Sequence, residues 1–393
     1  MNNAFSTGDG LGSPTSTESG TLIPTPSTSR ANSISQPSST NIPPGPLNLT
    51  SLSTTSWRQP YPSVGQFAMT ESEEVVAAGP DGLFYFCRVR DHAAKPWSEP
   101  RPFPSMPVTL NESTVSGLAL YSGVESGLHV YCVSDGVLHS FYRTDEDSSF
   151  LPDTSPPLAG CRVTGKPTVV GTRDKLERWS LVVPCQSGGL LHASASATYS
   201  KRPYNNSVSI KWDAVDHLAT DLGIISAVSV AEVRSKRELV AVCISRGQLN
   251  VIRSSPNHDV YHMSWKWEGK TSARIIHPGE VTGNPVLITG CNDMSETQLD
   301  LLVPSAEGGI FHFVRTRSAP NDWHMVGRVA FPQNIPPAPC LSFHYRCITR
   351  GTRELYALVQ TGGRLYHVKT TNDERPWHNA RLNPIVQPGP FFE

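Results

Sequence analysis

Short apolar segments, in which hydrophobic and polar residues alternate, recur along the chain after about residue 57 and alternate with turns that contain glycine. Six of these segments follow a turn glycine in the same way, and the glycines are Gly82, Gly136, Gly189, Gly247, Gly309 and Gly363. Successive glycines are separated by 54, 53, 58, 62 and 54 residues. A nearly constant period over six copies indicates an internal structural repeat.

Each repeat predicts four short strands. An apolar run such as 299–304 precedes the turn glycine, and another short apolar segment, such as 284–290, lies upstream of that run. Most copies continue into a tryptophan-bearing segment, and the residues are Trp97, Trp212, Trp265, Trp267, Trp323 and Trp377, with Phe150 near that place in the second copy. Asp-Gly and Gly-Gly pairs suit two-residue hairpin turns, because those turns need positive φ.

These elements predict an all-β fold, a six-bladed β-propeller of four-stranded antiparallel blades over residues 57–393. Helix-length segments with a 3.6-residue period and caps are absent from the sequence. We expect the first strand of each blade to lie nearest the axis. The candidate first strands 63–70, 113–120 and 225–230 carry many small residues, which suits the crowding of six strands around one axis.

Residues 1–56 differ from the rest, because Ser, Thr, Pro, Asn and Gly dominate and the only charged side chains are Asp9, Glu18 and Arg30. Such a segment buries too little apolar surface to offset its chain entropy, so the sequence predicts a disordered tail. A basic region followed by an apolar core, as in a secretory signal, is not visible, which favours a cytoplasmic location. No run of about 18 apolar residues occurs, so no membrane span is predicted.

Charge and cysteine content narrow the classes of partner. The formal net charge is -1, and the chain therefore lacks the basic surplus that binding to nucleic acid or to an anionic membrane requires. The eight cysteines show no CxxC spacing, and Cys87, Cys132 and Cys243 fall within apolar strands. Those three are predicted to pack as small hydrophobic residues. Cys340 and Cys347 are the pair to check first for a disulfide.

Two series of side chains follow the turn glycines. The third residue after each glycine is polar or aromatic, and the series is Tyr85, His139, His192, Asn250, His312 and Tyr366. A basic residue lies near the sixth position in most copies, as Arg88, Arg143, Arg253, Arg315 and Lys369, whereas Ala195 interrupts the series. Either these residues satisfy the same hydrogen bond between blades, or they form ligand or catalytic sites. The tryptophans admit the same two interpretations, as packing anchors or as ligand platforms.

Signatures of enzymes are nearly absent. The sequence contains no G-x-S-x-G elbow, no P-loop and no HExxH motif. Its carboxylates form no recurrent pair of the kind that supports a glycosidase. Hydrolytic and metal chemistry are therefore not expected, and we predict neither a cofactor nor a metal.

The recurring G-x-L-x-x-x-R segment with its downstream tryptophan resembles the fucose-lectin-like six-bladed propellers of fungi. The resemblance covers about residues 57–393 and rests on the repeat architecture. It implies sugar sites between blades, each built from an arginine, a glutamate and an aromatic residue. The arginines match Arg88, Arg253 and Arg315, whereas no glutamate recurs at a fixed offset from the glycines.

The same lectin-like propeller is similar to the fungal hetero-Diels–Alderases of tropolone–sesquiterpene pathways, which are cofactor-free and use one pocket. A cycloaddition needs two apolar partners held in one geometry, and this orientation contributes up to about 7–11 kcal/mol. It also needs a hydrogen-bond donor on the oxygen that gains electron density. Blades that no longer match suit one asymmetric pocket better than six equivalent sugar sites.

The leading functional prediction is therefore a cofactor-independent cyclase or pericyclase that acts on a small hydrophobic polyketide or terpenoid intermediate of secondary metabolism. The candidate catalytic donors are Arg143, Arg253, Arg315, His139, His192 and His312. The candidate substrate-binding residues are Tyr85, Arg88, Trp323 and Tyr366. The alternative predictions are a glycan-binding lectin of the fucose type and a protein-interaction scaffold.

Overall fold

The computed structural model describes residues 64–384 with gaps. The gaps are 89–96, 99, 104–109, 124–126, 145–148, 154–156, 173–177, 203–204, 234–237, 257–264, 268–272, 290–298, 316–321, 330, 332–335, 350–351 and 371–380. The tail predicted for residues 1–56 lies outside the described residues, as does Trp377.

The described residues form six antiparallel sheets, each with its strands in chain order from the axis outwards. Blade I holds β1 (Phe67–Met69), β2 (Glu74–Gly79), β3 (Gly82–Cys87) and β4 (Arg101–Pro102). Blade II holds β5 (Val115–Gly123), β6 (Gly127–Ser134), β7 (Val137–Arg143) and β8 (Leu151–Pro152). Blade III holds β9 (Thr168–Thr172), β10 (Arg178–Pro184), β11 (Leu190–Arg202), β12 (Asn205–Trp212) and β13 (Asp216–Leu218).

The second half of the chain repeats this order. Blade IV holds β14 (Ala227–Val233), β15 (Glu238–Ser245), β16 (Gln248–Pro256), β17 (Trp265–Trp267) and β18 (Ala273–Ile275). Blade V holds β19 (Val286–Thr289), β20 (Leu299–Pro304), β21 (Ile310–Arg315) and β22 (Trp323–Val329). Blade VI holds β23 (Cys340–Thr349), β24 (Thr352–Thr361), β25 (Arg364–Thr370) and β26 (Arg381–Pro384).

In blades III and IV, two short strands share the outermost position. β12 and β13 pair with different parts of β11, and β17 and β18 divide β16 in the same way. Each blade therefore keeps four strand positions, as predicted. A short 3₁₀ helix, Thr220–Leu222, follows β13, and no helix among the described residues is long and apolar enough to cross a membrane.

The six blades form a closed ring. The first strand of each blade packs against the first strand of the next, and β23 of blade VI packs against β1 of blade I. Each blade consists of strands that are consecutive in the chain, so no blade combines strands from the two ends of the propeller. The ring is therefore closed by noncovalent contacts between blades VI and I. The Val64 backbone N–H donates to the Gly363 carbonyl at 2.9 Å, and the Gln360 amide donates to the Val64 carbonyl at 2.7 Å. The predicted six-bladed β-propeller is confirmed.

The hydrophobic core is divided among the gaps between neighbouring blades, which we name by the two blades that face them. Each gap holds a cluster of buried side chains from both sheets. In gap I/II, for example, Val76 and Leu83 pack in one cluster with Leu128 and Phe141. Because both faces of a sheet are covered, a strand such as β15 is a nearly continuous apolar run.

Small residues lie where the first strands begin near the axis. A Cβ atom on Gly117 of β5 would lie 2.2 Å from the Lys166 Cα atom, and one on Gly165 would lie 2.5 Å from the Ser226 carbonyl oxygen. Blades II, III and IV are therefore packed backbone against backbone at this end of the axis. The crowding that was expected around the axis is confirmed there.

Two side-chain hydrogen bonds cross the ring near the same end of the axis. Lys166, just before β9 of blade III, donates through Nζ to the Leu341 carbonyl of blade VI at 3.3 Å. Asn284, just before β19 of blade V, donates through Nδ2 to Gln66 Oε1, just before β1, at 2.9 Å. Blades III and VI are opposite members of a ring of six, so the first of these bonds spans the central channel.

The six turn glycines all have positive φ, between 70° and 133°, as their turns require. The connections differ in length, however. Two residues separate the paired ends Ser134 and Val137 in blade II, whereas five separate Pro184 from Leu190 in blade III. Blade V has the same longer connection. The two-residue turn predicted for these Gly-Gly pairs is wrong, because the Cys185 N–H donates to the carbonyl of the second glycine and closes a wider loop.

The cysteines of the inner strands are buried free thiols. Cys132 and Cys243 pack within the hydrophobic clusters, as predicted, and burial raises the pKa of the Cys243 thiol to about 12. Cys340 is also free, and its Sγ donates to the Phe67 carbonyl at 3.3 Å. A disulfide with Cys347 is excluded, because both residues lie on β23 and seven residues of extended strand span about 23 Å.

We predict that Gly117→Ala lowers the free energy of unfolding by about 3 kcal/mol, because the new methyl group would overlap the Lys166 backbone. Gly279→Ala is the control, since its Cβ would meet the Phe311 ring at an ordinary 3.5 Å. Urea unfolding followed by tryptophan fluorescence measures both variants. Equal unfolding midpoints for the two variants would contradict the close backbone packing at the axis.

Candidate functional site

The length of the hairpin that joins the second and third strands of a blade, which we call the second hairpin, decides which gap each polar side chain of the third strand enters. Successive side chains of a strand point to opposite faces, so a shift of one residue exchanges the faces. Blades II, IV and VI have two-residue turns, whereas blades III and V have five-residue connections. In blade I the turn glycine, Gly82, already belongs to β3. Residues at equal distance from the turn glycine therefore face alternate directions around the ring.

This alternation sorts the gaps into two kinds. The second residues after the glycines meet in three gaps, as Leu138 with Leu191 (II/III), Leu249 with Phe311 (IV/V) and Leu365 with Phe84 (VI/I). The third residues face the other three gaps, as Tyr85 with His139 (I/II), His192 with Asn250 (III/IV) and His312 with Tyr366 (V/VI). The structural unit of repetition is thus a pair of blades, and the contacts of the described residues include no hydrogen bond that is repeated identically between all blades.

Two histidines of this series have partners within their own blades. The Nε2 atom of His312 lies 2.8 Å from Asp300 Oδ1 on the adjacent β20, and both side chains are buried. His192 contacts Ser180 Oγ through Nε2 at 3.1 Å and Asp216 Oδ2 through Nδ1 at 3.4 Å. Burial lowers the pKa of His192, although Asp216 opposes the shift. These contacts join strands of one blade and favour a structural role for both imidazoles.

Gap I/II contains a charge-balanced cluster around Arg143, the last residue of β7. Its Nη2 donates to Oε1 of Glu74, the first residue of β2, at 2.6 Å, and the Tyr85 hydroxyl donates to the same oxygen at 3.0 Å. The guanidinium carbon lies 4.0 Å from the Tyr85 ring centroid and 5.1 Å from that of Phe150. Burial raises the pKa of Tyr85, and His139 is half-buried on the same face of β7 with its pKa lowered by burial.

Gap IV/V contains the same types of group, but their hydrogen bonds are not completed. Arg315 ends β21, Glu238 begins β15 and Trp323 begins β22. Arg315 is only 3 % exposed, and its guanidinium carbon lies 5.9 Å from the Trp323 ring centroid. None of the described residues accepts a hydrogen bond from Nε or Nη1 of Arg315, or from the buried Nε1 of Trp323. The gap therefore holds buried N–H groups that have no acceptor among the described residues.

Gap IV/V also contains a second arginine. Arg253 of β16 faces the same gap, and its Nε lies 3.6 Å from Glu238 Oε1. Burial lowers the pKa of Arg315 to about 10, the charge of Arg253 contributes to this shift, and Glu238 offsets only part of it. Arg315 is thus a buried guanidinium with a second guanidinium nearby.

The predicted site residues do not converge on one pocket. The six predicted donors lie in four gaps, as Arg143 and His139 (I/II), His192 (III/IV), Arg253 and Arg315 (IV/V) and His312 (V/VI). Arg88 pairs with Glu73 of its own blade at 2.7 Å, and Tyr366 packs in gap V/VI. The structure brings Arg253, Arg315 and Trp323 together in gap IV/V. It also brings Arg143 and Tyr85 together in gap I/II.

Sequence reasoning missed Glu74 and Glu238. Each begins the second strand of its blade and faces the arginine of the following blade. Their distances from the turn glycines differ, because Glu74 lies eight residues before Gly82 and Glu238 lies nine residues before Gly247. A search for a carboxylate at the first position of each predicted second strand would have found both.

A separate cleft of about 510 Å³ opens beside the second hairpin of blade III. Cys161, Arg162, Cys185 and His217 are among its lining residues. The cleft contains none of the predicted site residues. In the part of the chain that the structure describes, no three His, Cys, Asp or Glu side chains form a group that could hold a metal ion.

Comparison with known proteins shows likeness at the level of the fold. No family model matches the chain, and no curated protein sequence matches it. A mutant of AofleA from Arthrobotrys oligospora with three arginines replaced by alanine matches with a TM-score of 0.54 and 10% identity, over 84% of this chain and 88% of that chain. The BP39L lectin from Burkholderia pseudomallei matches with a TM-score of 0.50 and 12% identity, over 80% and 79%.

A sialidase is also among the similar structures. The Trypanosoma rangeli sialidase in complex with sialic acid matches with a TM-score of 0.49 and 13% identity, over 77% of this chain and 53% of that enzyme. This chain therefore spans about half the length of the sialidase. At these low identities, what AofleA and BP39L share with this chain is the propeller fold.

We predict opposite effects on stability for the two buried arginines. Arg143→Met should lower the free energy of unfolding by about 3 kcal/mol, because it leaves the largely buried Glu74 carboxylate without its cation. Arg315→Met should leave the stability unchanged or raise it, because it removes a buried charge without a close counterion. Urea unfolding of both variants in sugar-free buffer measures the difference. A loss of similar size in both variants would show that Arg315 supports the fold as Arg143 does.

Proposed function

We propose that the protein binds carbohydrate as a lectin, through a site in gap IV/V. The observation that carries the proposal is the meeting of Arg315, Glu238 and Trp323 in one gap, with guanidinium and indole N–H groups that lack acceptors among the described residues. Sugar oxygens accept hydrogen bonds from guanidinium and indole groups, and sugar hydroxyls donate to carboxylates. The C–H face of a pyranose ring packs against a flat aromatic surface. The three side chains supply all of these partners.

The fold supports the same proposal. The resemblance to fucose-lectin-like propellers implies an arginine, a glutamate and an aromatic residue between blades, and gap IV/V holds one of each, together with Arg253. BP39L, which is a lectin, shares the propeller fold of this chain. These are separate arguments, because the first concerns side chains and the second concerns the backbone.

Gap I/II should not bind sugar in the same way. Its arginine, Arg143, already pairs with Glu74 and lies against the Tyr85 and Phe150 rings. A ligand would have to displace these internal contacts before it gained its own. We therefore propose one dominant site in gap IV/V instead of a set of equivalent sites around the ring.

A cofactor-independent hetero-Diels–Alder cycloaddition is the second candidate. The available N–H groups of Arg315 would suit an oxygen that gains electron density in such a reaction. That reaction also needs its donors and apolar walls around one substrate. The spread of the other predicted donors over several gaps therefore favours the sugar-binding role.

The proposal is tested by screening a glycan array of neutral and acidic sugars, followed by titration calorimetry with the best ligand. We expect one strong site per chain. Trp323→Leu keeps an apolar side chain but removes the flat ring and its N–H group, so it should weaken binding by about tenfold or more.

Arg328→Gln provides the matched control on the same strand. Arg328 is partly exposed and donates to the Gly308 carbonyl at 2.9 Å, away from the Arg315 side chain, so this variant should bind like the unmodified protein. The proposal fails if no glycan binds, or if Trp323→Leu binds as well as the control. Single-site binding of a hydrophobic ligand without any glycan binding would favour the cycloaddition candidate.

A further inference from the structure

We propose that the sugar bound in gap IV/V is an N-acetylated amino sugar, whose acetamido group enters the gap beside Arg315. This inference rests on the proposed sugar-binding function and adds the substituent that the site recognises. It is carried by two observations on the described residues. Three buried N–H groups have no acceptor, and the carboxylate of Glu238, in the same gap, forms no ion pair with Arg315.

The donors give the first argument. Nε and Nη1 of Arg315 and Nε1 of Trp323 can only donate, and all three atoms are buried without an acceptor among the described residues. A buried donor without an acceptor is unfavourable, so a ligand that supplies an acceptor here gains affinity. The oxygen of an amide carbonyl has two lone pairs and no hydrogen of its own. It can therefore accept from two of these donors at once.

The position of Glu238 gives the second argument. Its charge opposes the lowering of the Arg315 pKa, so it acts within the same gap, yet the two side chains form no ion pair among the described contacts. An acetamido group can join the two sides. Its carbonyl oxygen accepts from Arg315 or Trp323, and its N–H group, which points the opposite way in a trans amide, donates to the carboxylate. A hydroxyl group has to serve donors and acceptor from a single oxygen atom.

The surroundings of these groups suit a small substituent with an apolar end. Arg315 is almost wholly buried, so a group that projects from a sugar ring reaches further towards its N–H groups than the ring itself does. Phe313 and Trp323 belong to the hydrophobic cluster of this gap. The methyl end of an acetamido group adds apolar contact with such side chains, whereas a hydroxyl group adds none.

Gap I/II shows the arrangement in which the protein makes these contacts itself. Arg143 donates to Glu74 at 2.6 Å, and the Tyr85 hydroxyl donates to the same oxygen at 3.0 Å. Donors and acceptor are joined directly there, and an amide group inserted between them would have to break both bonds. The preference for an acetamido group should therefore be confined to gap IV/V.

The test compares sugars that differ in one substituent, by titration calorimetry. N-acetylglucosamine is paired with glucose and N-acetylgalactosamine with galactose, and glucosamine controls for a nitrogen without the acetyl group. We expect at least one N-acetylated sugar to bind about 10- to 100-fold more tightly than its unsubstituted partner, because the analogue leaves buried groups of the site unpaired. Glucosamine should bind no more tightly than glucose.

Two variants distinguish the acetamido contact from sugar binding in general. Trp323→Phe keeps a flat ring for the pyranose but removes the Nε1 donor, so the preference for the N-acetylated sugar should fall by about three- to tenfold while glucose binding changes little. Arg315→Met removes the guanidinium donors and should reduce the preference to about twofold or less. Arg328→Gln should leave it unchanged. Thermal unfolding of each variant checks that the fold is kept.

The remaining outcomes separate the two proposals. Equal binding of N-acetylated and unsubstituted sugars overturns the inference on the substituent and leaves the sugar-binding function standing. A preference that persists in full in both Trp323→Phe and Arg315→Met places the acetamido group elsewhere and also overturns the inference. Tighter binding of methyl glucuronide than of N-acetylglucosamine does the same, because a carboxylate cannot donate to Glu238. Absence of binding by every sugar overturns both proposals.

Discussion

The alternation of side chains along the third strand of each blade is the constraint on which the chemistry of the gaps depends. Connections of two or five residues, together with the position of Gly82 inside β3, place this alternation in opposite phase from blade to blade. The second residues after the turn glycines, which are apolar, therefore meet in three gaps. The third residues, which are polar or aromatic, meet in the other three. The arginines at the sixth position point towards the apolar gaps, which is why Arg253 and Arg315 meet. Arg143 lies one position later and enters the polar gap I/II instead.

The two arginines that face glutamates show how the fold separates stability from recognition. In gap I/II, Arg143 pairs with Glu74 of the same protein, and the aromatic rings of Tyr85 and Phe150 pack against its guanidinium group. In gap IV/V, the corresponding attraction is incomplete, and the donors of Arg315 are held in place before any ligand arrives. A preorganised donor that the fold does not satisfy loses little conformational freedom on binding.

The architecture could be predicted from the sequence because it rests on local patterns. The blades could be predicted from the alternation within strands and from the nearly constant period of the turn glycines. The positive φ values of these glycines and the small residues near the axis follow from steric rules that act on neighbouring atoms. The partners of each arginine could not be predicted. They depend on which residues pair across the second hairpin, such as Pro304 with Ile310. In a glycine-rich stretch, the sequence does not distinguish a connection of two residues from one of five. Glu238 does not stand out by residue type, since it follows other charged residues, and only its position at the start of a strand distinguishes it.

The closure of the ring has a consequence for its motions. Five of the six gaps are bridged by the polypeptide backbone, whereas gap VI/I is joined by noncovalent contacts such as those of Val64 with Gly363 and Gln360. Local opening of a protein follows the path with the smallest loss of contacts. Gap VI/I is therefore the seam at which the ring should open first, while gap IV/V, two joints away, keeps its geometry. Local opening of gap VI/I should thus leave ligand binding in gap IV/V unchanged.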